Sequence, residues 1–126
     1  MLQSETLTKT SDNSGVFLIK FIQTLKNKKR IAKLGDFFVG SIQQFKSTKM
    51  KKNFLKKKAL VCSLIVQTKS WFFRKDGQKI RFLKNSVVVF DKQQNNLLGS
   101  RLSCAVCKEF HEKKLLKFLS LTTQFI

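Results

Sequence analysis

Side chains on which catalysis depends are scarce in this sequence. The single histidine, His111, lies beside Glu112 in a segment predicted to form a surface helix, so no Ser-His-Asp or Cys-His pairing can be argued from it. The seven acidic residues are scattered and give no paired-carboxylate site, and the five glycines form no glycine-rich phosphate loop. We therefore expect no catalytic residues, no cofactor and no enzymatic activity.

Long apolar segments are also missing. No apolar run approaches the roughly 18–20 residues needed to cross a bilayer. The N-terminal stretch 1–15 has no apolar core like that of a secretory signal. It also carries Glu5 and Asp12 and is poor in arginine, unlike an organelle presequence. Neither a transmembrane segment nor a targeting segment is predicted.

Positive charge is what the sequence has in excess. Lysine and arginine number 26 against 7 acidic residues, which gives a net charge of +19 over 126 residues. A charge of this size repels itself in the compact state, so it indicates a partner that neutralises it. Nucleic acid is the first candidate, and an anionic membrane surface bound through a C-terminal helix is the second. The length fits one domain with a sizeable core.

The segment 71–91 carries the clearest local signal. Asp76-Gly77 separates two runs of phenylalanine, isoleucine and basic residues, which predicts a hairpin with a two-residue turn. In that register Arg74 stands opposite Lys79, and like charges in register destabilise a hairpin unless a polyanion lies on that face. The predicted basic face consists of Phe72, Arg74, Lys79 and Arg81, with Lys84 beyond it. The other face carries Trp71, Phe73, Ile80 and Phe82. Phe72 is then placed to stack a base beside the cations.

The rest of the chain has strands first and helices last. Apolar, β-branched runs predict strands over residues 16–22, 37–42, 59–67 and 87–90, and a short strand with a glycine kink over 97–102. Ser103 is a candidate N-cap for a helix over 104–110, and a second helix is predicted over 112–119. This order indicates an α+β or small-barrel fold.

Two further basic segments are candidates for binding a polyanion. Lys28, Lys29 and Arg30 lie in a loop after the first long strand. The segment 46–58 contains seven lysines and is either a solvated loop or an arm that becomes ordered on a phosphate backbone. Its candidate contacts are Lys49, Lys51 and Lys52.

The cysteines leave one alternative open. Cys104-x-x-Cys107-x-x-x-His111 has the spacing of half a zinc site, to which Cys62 could add a ligand, so a small zinc-binding module is a possible reading. The same segment is compatible with small buried thiols, which are common in protein cores, and we favour that interpretation. The odd number of cysteines, in a chain without an export signal, predicts reduced thiols. We assign no metal ligand, and metal binding by Cys104 and Cys107 stays open.

Several motifs in register resemble one known family, the universal large-subunit ribosomal protein fourteen. The signature is Leu64-Ile65-Val66, nine residues, Asp76-Gly77, four residues, Phe82, two residues, Asn85, two residues, Val88-Val89. The segments MLQ, SDNSG, KLGDFFVGSI, RKDGQKIRF, LLGSRL and FLSL also fall in the family's order and approximate spacing. The resemblance extends over nearly the whole chain.

The resemblance implies a mainly β fold in one domain over 1–126. A closed five-stranded β-barrel would occupy about 1–102, with a projecting basic β-ribbon at 69–84, followed by a short helical part at about 103–120. It also implies a structural protein that binds large-subunit rRNA near the sarcin–ricin region, beside large-subunit proteins three and nineteen. An exposed face bridging to small-subunit rRNA, and in relatives receiving a ribosome-silencing factor, would contain Ser100, Arg101 and Lys117.

Departures from the family pattern indicate a mitochondrial form. Ser63 stands where the signature prefers glycine or alanine, Phe17-Leu18 replaces the usual basic residues, and the segment 46–58 lacks the customary proline and glycine. Thirteen phenylalanines with no tyrosine and no proline are typical of a gene drifting in an AT-rich genome. Because the similarity begins at Met1, we expect a protein encoded in the organelle and located in the mitochondrial ribosome.

Overall fold

Five strands close into a barrel in the computed structural model, which describes residues 1–45, 57–91, 96–112 and 115–126. The strands are β1 (Leu2–Gln3), β2 (Leu7–Thr10), β3 (Val16–Thr24), β4 (Ile31–Ala32), β5 (Phe37–Phe45), β6 (Leu60–Gln67), β7 (Phe72–Phe73), β8 (Lys79–Ile80) and β9 (Ser86–Phe90). A 3₁₀ turn (Lys108–Phe110) and α1 (Leu116–Ser120) follow. The barrel order is β2-β3-β5-β6-β9, antiparallel except where β2 and β9 pair in parallel and close the ring. The predicted mainly β fold with a closed five-stranded barrel is confirmed.

Alternate residues of the strands fill the barrel. Inward side chains from all the long strands form one apolar cluster, and most of them are fully buried. The interior includes Ile19, Phe21, Phe38, Ile42, Val61, Ile65, Val87 and Val89. The rings of Phe21 and Phe38 lie with their centroids 5.0 Å apart. The period of two along each strand therefore places one apolar face inside the barrel.

The strands β6 and β9 are buried on both faces. Their other alternate residues, including Leu64, Val66 and Val88, belong to a second apolar cluster outside the barrel. The C-terminal segment covers this outer side with Leu102, Val106, Phe110 and Phe118, among others. A strand covered on both sides carries apolar residues at most positions, which is why these two runs show no polar alternation. Their buried polar residues are Ser63, Gln67 and Ser86.

The C-terminal segment contains less helix than the sequence predicts. The predicted helix over 104–110 is wrong: only Lys108–Phe110 is helical, as a single 3₁₀ turn. Ser103 does not cap a helix, because its backbone N–H and its hydroxyl both donate to the carbonyl oxygen of Ser11. Val106 forms a parallel bridge with Phe125 instead of a helical turn. Tertiary partners thus hold residues 102–107 extended over the outer face of the barrel.

Two other predictions are modified, and a third is not tested. The second helix is shorter than predicted and covers Leu116–Ser120. The segment 97–102 is not a strand but contributes two isolated bridges, Phe90 with Leu97 and Asp12 with Leu102. Of the predicted lysine arm, residues 46–56, including Lys49, Lys51 and Lys52, lie outside the described residues.

Gly40 in β5 allows a close approach of strand β3. A Cβ atom at this position would lie 2.4 Å from Ile19 Cγ2 and 2.8 Å from the carbonyl oxygen of Lys20. We expect Gly40→Ala to lower the free energy of unfolding by about 1–3 kcal/mol, because backbone cannot move aside as a flexible side chain can. Urea denaturation of the purified protein measures this.

The matched control is Ser41→Ala, one residue along the same strand and only half-buried. Its effect should stay within about 0.5 kcal/mol. Equal losses in the two variants would contradict a steric role for Gly40.

Candidate nucleic-acid interface

The projecting ribbon is a hairpin with a three-residue loop, not the predicted two-residue turn. Phe72 pairs with Ile80 and Phe73 pairs with Lys79, and the Arg74 N–H donates to the Gln78 carbonyl oxygen over 2.9 Å. Gly77 has a φ of 85°, whereas Asp76 is not among the residues with positive φ. A two-residue type I′ turn needs positive φ at both central residues, while a three-residue loop needs it only at the glycine.

The longer loop shifts the register of the two ribbon strands by one residue. Each residue therefore shares a face of the ribbon with different residues of the opposite strand. The outer face of the ribbon consists of Trp71, Phe73, Lys79 and Arg81, all exposed. The inner face consists of Phe72, Arg74, Ile80 and Phe82, all half-buried. The predicted basic face combining Phe72 and Arg74 with Lys79 and Arg81 is therefore wrong, and Arg74 does not stand opposite Lys79.

Each exposed ring of the outer face has a cation from the opposite strand above it. The Lys79 ammonium lies 5.3 Å from the centroid of the Phe73 ring. The Arg81 guanidinium carbon lies 5.5 Å from the centroid of the Trp71 ring. Both distances are within the range of cation–π attraction. The outer face therefore combines positive charge with aromatic surface.

Arg74 holds the ribbon against the C-terminal segment. Its guanidinium donates to both carboxylate oxygens of Glu109, Nε to Oε1 at 2.5 Å and Nη2 to Oε2 at 3.4 Å, and also to the carbonyl oxygen of Ile126. The Arg74 and Glu109 side chains are only 14% and 27% exposed, and the hydrogen bond that Arg74 donates to Glu109 raises the pKa of Arg74. Beside this pair lies a cleft of about 540 Å³, which Phe72 and Phe110 help to line. Arg74 thus sets the orientation of the ribbon.

The early basic loop and the base of the ribbon are connected through the N-terminus. Lys28, Lys29 and Arg30 are exposed, and Thr24 closes their turn by accepting from the Lys29 N–H at 2.9 Å. Strand β1 pairs with β4 directly after this loop, and the amino group of Met1 donates to the hydroxyl of Ser70 at the base of the ribbon. Lys84, beyond the ribbon, is also exposed.

Two residues predicted for an inter-subunit face, Ser100 and Arg101, lie in the segment 96–101, and the third, Lys117, lies on helix α1. Asn13 Oδ1 accepts from the backbone N–H groups of Ser100, at 2.7 Å, and Arg101, at 3.1 Å. Lys117 donates to Asn96 Oδ1, at 2.7 Å, near the start of the same segment. Ser100, Arg101 and Lys117 are all exposed. The structure therefore brings the three predicted residues to the neighbourhood of one segment.

Asp12 fixes the turn at residues 11–15, which holds this segment through Asn13, to strand β9, a role that the sequence analysis missed. One carboxylate oxygen accepts from the N–H and hydroxyl of Ser14, and the other accepts from the N–H of Val89 at 2.8 Å. Burial raises the pKa of Asp12, because desolvation of the carboxylate outweighs these hydrogen bonds. The SDNSG pattern predicts a turn, but it contains no signal for a partner 77 residues away.

The structure does not support the zinc alternative. Within the described ranges, no group of three or more histidine, cysteine or acidic side chains could hold a metal ion. His111 stacks against Phe125, with 4.8 Å between the ring centroids. The three cysteines are free and buried, and burial raises the pKa of the Cys62 and Cys107 thiols to about 11.

The membrane alternative depends on the C-terminal helix, which is short. Helix α1 has five residues, which is too short to lie in a membrane interface as an amphipathic anchor. Across the described part of the chain, no helix has the length and apolar character required to span a bilayer.

These features define a class: a small, strongly basic β-barrel protein with a projecting ribbon. Comparison with family models then gives the family. The model of Ribosomal protein L14p/L23e matches residues 1–126, so the chain belongs to this family. It is a structural protein of the large ribosomal subunit and not an enzyme. The resemblance seen in the sequence motifs is confirmed.

Removal of the Arg74 guanidinium should loosen the ribbon without unfolding the barrel. We expect Arg74→Gln to raise the hydrogen-exchange rates of ribbon amides over 72–82, while β6 amides exchange as in the wild type, because the ion pair lies outside the barrel core. Lys75→Gln is the control, since its contact with Glu112 is long, at 3.8 Å, and exposed. Unchanged ribbon exchange in Arg74→Gln would contradict the orienting role.

The buried thiols should be nearly inert. A thiol with a pKa of about 11 is only about 0.1% thiolate at pH 8, so alkylation of Cys62 and Cys107 in the native protein should be about 100-fold slower than in the urea-denatured chain. Mass spectrometry after iodoacetamide treatment measures the rates. Rapid native alkylation that zinc suppresses would instead favour the metal site.

Proposed function

We propose that this structural protein binds large-subunit rRNA through the outer face of its ribbon and the adjacent early loop. The observation that carries the proposal is the pairing of exposed cations and exposed rings on a ribbon held rigidly by Arg74. Lysine and arginine side chains release counterions from closely packed RNA phosphates, and the barrel presents them at fixed positions.

The proposed RNA contacts are the exposed basic residues of the ribbon and of the early loop. Lys79 and Arg81 lie on the outer face, Lys84 beyond it, and Lys28, Lys29 and Arg30 in the early loop. Phe72 and Arg74 are half-buried on the inner face, where Arg74 pairs with Glu109, and their contact with RNA stays a prediction. Lys49, Lys51 and Lys52 remain a prediction from charge alone.

We propose that the inter-subunit face consists of Ser100 and Arg101 with Lys117 of helix α1. Its exposure and its attachment to the barrel through Asn13 support this assignment. By the family resemblance, the proposed partners are small-subunit rRNA across a bridge, large-subunit proteins three and nineteen, and a ribosome-silencing factor.

We further propose one domain over 1–126 and a mitochondrial location. The phenylalanine-rich, proline-free composition supports the mitochondrial location.

Sedimentation tests the proposal directly. In a sucrose gradient of an organelle lysate, the protein should travel with the large subunit at moderate salt and resist stripping at high salt. Protein that stays at the top of the gradient, or that modest salt removes, would contradict an rRNA contact buried in the subunit.

A charge reversal tests the assigned face. Arg81→Glu should reduce incorporation into the large subunit, because loss of a charged hydrogen bond costs about 1.5–3 kcal/mol, or roughly 10- to 150-fold in affinity. Lys108→Glu, an exposed change of the same charge on the C-terminal segment, should incorporate normally. Normal incorporation of Arg81→Glu, with the fold intact by circular dichroism, would overturn the assignment.

A further inference from the structure

Two aromatic rings stand exposed side by side on the outer face of the ribbon. Trp71 is 57% exposed and Phe73 is 63% exposed, although the barrel interior and the outer cluster bury other large phenylalanine rings completely. The residue between them, Phe72, turns inward toward the cleft and the C-terminal segment. The two rings are therefore not part of either apolar core.

The spacing of the rings suits separated bases. Alternate residues of a strand are about 6.6–6.8 Å apart, which is about twice the distance between stacked bases along one strand of a duplex. Each of the two rings can stack on its own base only if the two bases are not stacked on each other. Bases within a duplex are already stacked on one another, and side chains cannot reach them through the narrow major groove of A-form RNA.

The cations above the rings favour RNA over an apolar protein surface. Lys79 and Arg81 lie 5.3 and 5.5 Å from the ring centroids, so any surface that covers the rings also meets two positive charges. A nucleotide satisfies both requirements, since its base stacks on the ring while its phosphate pairs with the cation. An apolar protein surface would leave the two cations desolvated without a partner.

We propose that the outer face of the ribbon is a stacking platform for unpaired nucleotides, in which Trp71 and Phe73 each hold a base and Lys79 and Arg81 hold the adjoining phosphates. This inference rests on the proposed rRNA binding and specifies its ligand: an unpaired strand, bulge or extruded base rather than a duplex. The rigid attachment through Arg74 and Glu109 keeps the two rings in place before RNA arrives.

The chain carries its own probe for this contact, because Trp71 is its single tryptophan. The full-length protein is titrated with oligoadenylate of about eight nucleotides, within the site size of known single-strand binders, and with an RNA duplex of the same length. The single strand should quench the fluorescence of Trp71 and shield it from acrylamide. The duplex should bind through charge, with strong salt dependence, and leave Trp71 accessible.

Variants at Phe73 separate stacking from simple apolar contact. Phe73→Ala and Phe73→Leu should each weaken single-strand binding by about 5- to 150-fold, since neither side chain offers a π-face, and Phe73→Trp should restore it. Leu83→Ala is the matched control, because Leu83 is 91% exposed, apolar and close in sequence but has no ring. It should bind like the wild type.

The outcomes distinguish failure of this inference from failure of the proposed function. If single strand and duplex bind equally and Phe73→Ala changes neither, while the protein still sediments with the large subunit, the platform is overturned and rRNA binding stands. If Phe73→Ala blocks incorporation but leaves oligonucleotide binding unchanged, a protein covers the rings and the platform is again overturned. If the wild type binds neither RNA and sediments free, both proposals fail.

Discussion

The burial of β6 and β9 on both faces is the constraint on which the rest of the structure depends. Their inward residues complete the barrel core, and their outward residues require a second apolar layer. The C-terminal segment supplies most of that layer, and Leu25, Leu34 and Phe82 pack against it from elsewhere in the described chain. The barrel and its covering form one packed unit, in which loss of either exposes apolar surface of the other.

The ribbon takes its orientation from that covering layer. Phe110 packs in the outer cluster, and Glu109, the residue before it, reaches Arg74 on the inner face of the ribbon. The ribbon is therefore held in two places: at its base, where the Phe82 N–H donates to the Thr68 carbonyl oxygen at 3.1 Å, and on its inner face by the C-terminal segment. This arrangement leaves the cations and rings of the outer face exposed, although Phe73 also lines the cleft beside Glu109.

Much of the fold could be predicted from the sequence, and less of the interface. The long strands were found because continuous β-branched runs have few other interpretations. The ribbon was also predicted, but the two strands were combined wrongly on its faces. A loop longer by one residue shifts the register, and this moves the side chains of one strand to the other face relative to its partner. The helix at 104–110 was wrong because the spacing of Val106 and Phe110 suits a helix and an extended covering segment alike. The partners of Arg74 and Asp12 lie 35 and 77 residues away, beyond any local pattern.

Closure of the barrel through β2 and β9 has a consequence for biosynthesis. Residues 9 and 10 cannot find residues 86 and 87 until most of the chain has left the ribosome that makes it. The outer cluster must wait longer still, for Phe118. Contacts so distant in sequence slow folding, and until they form the nascent chain presents open strand edges. Its many positive charges then keep such intermediates apart by mutual repulsion, before the finished fold is in place.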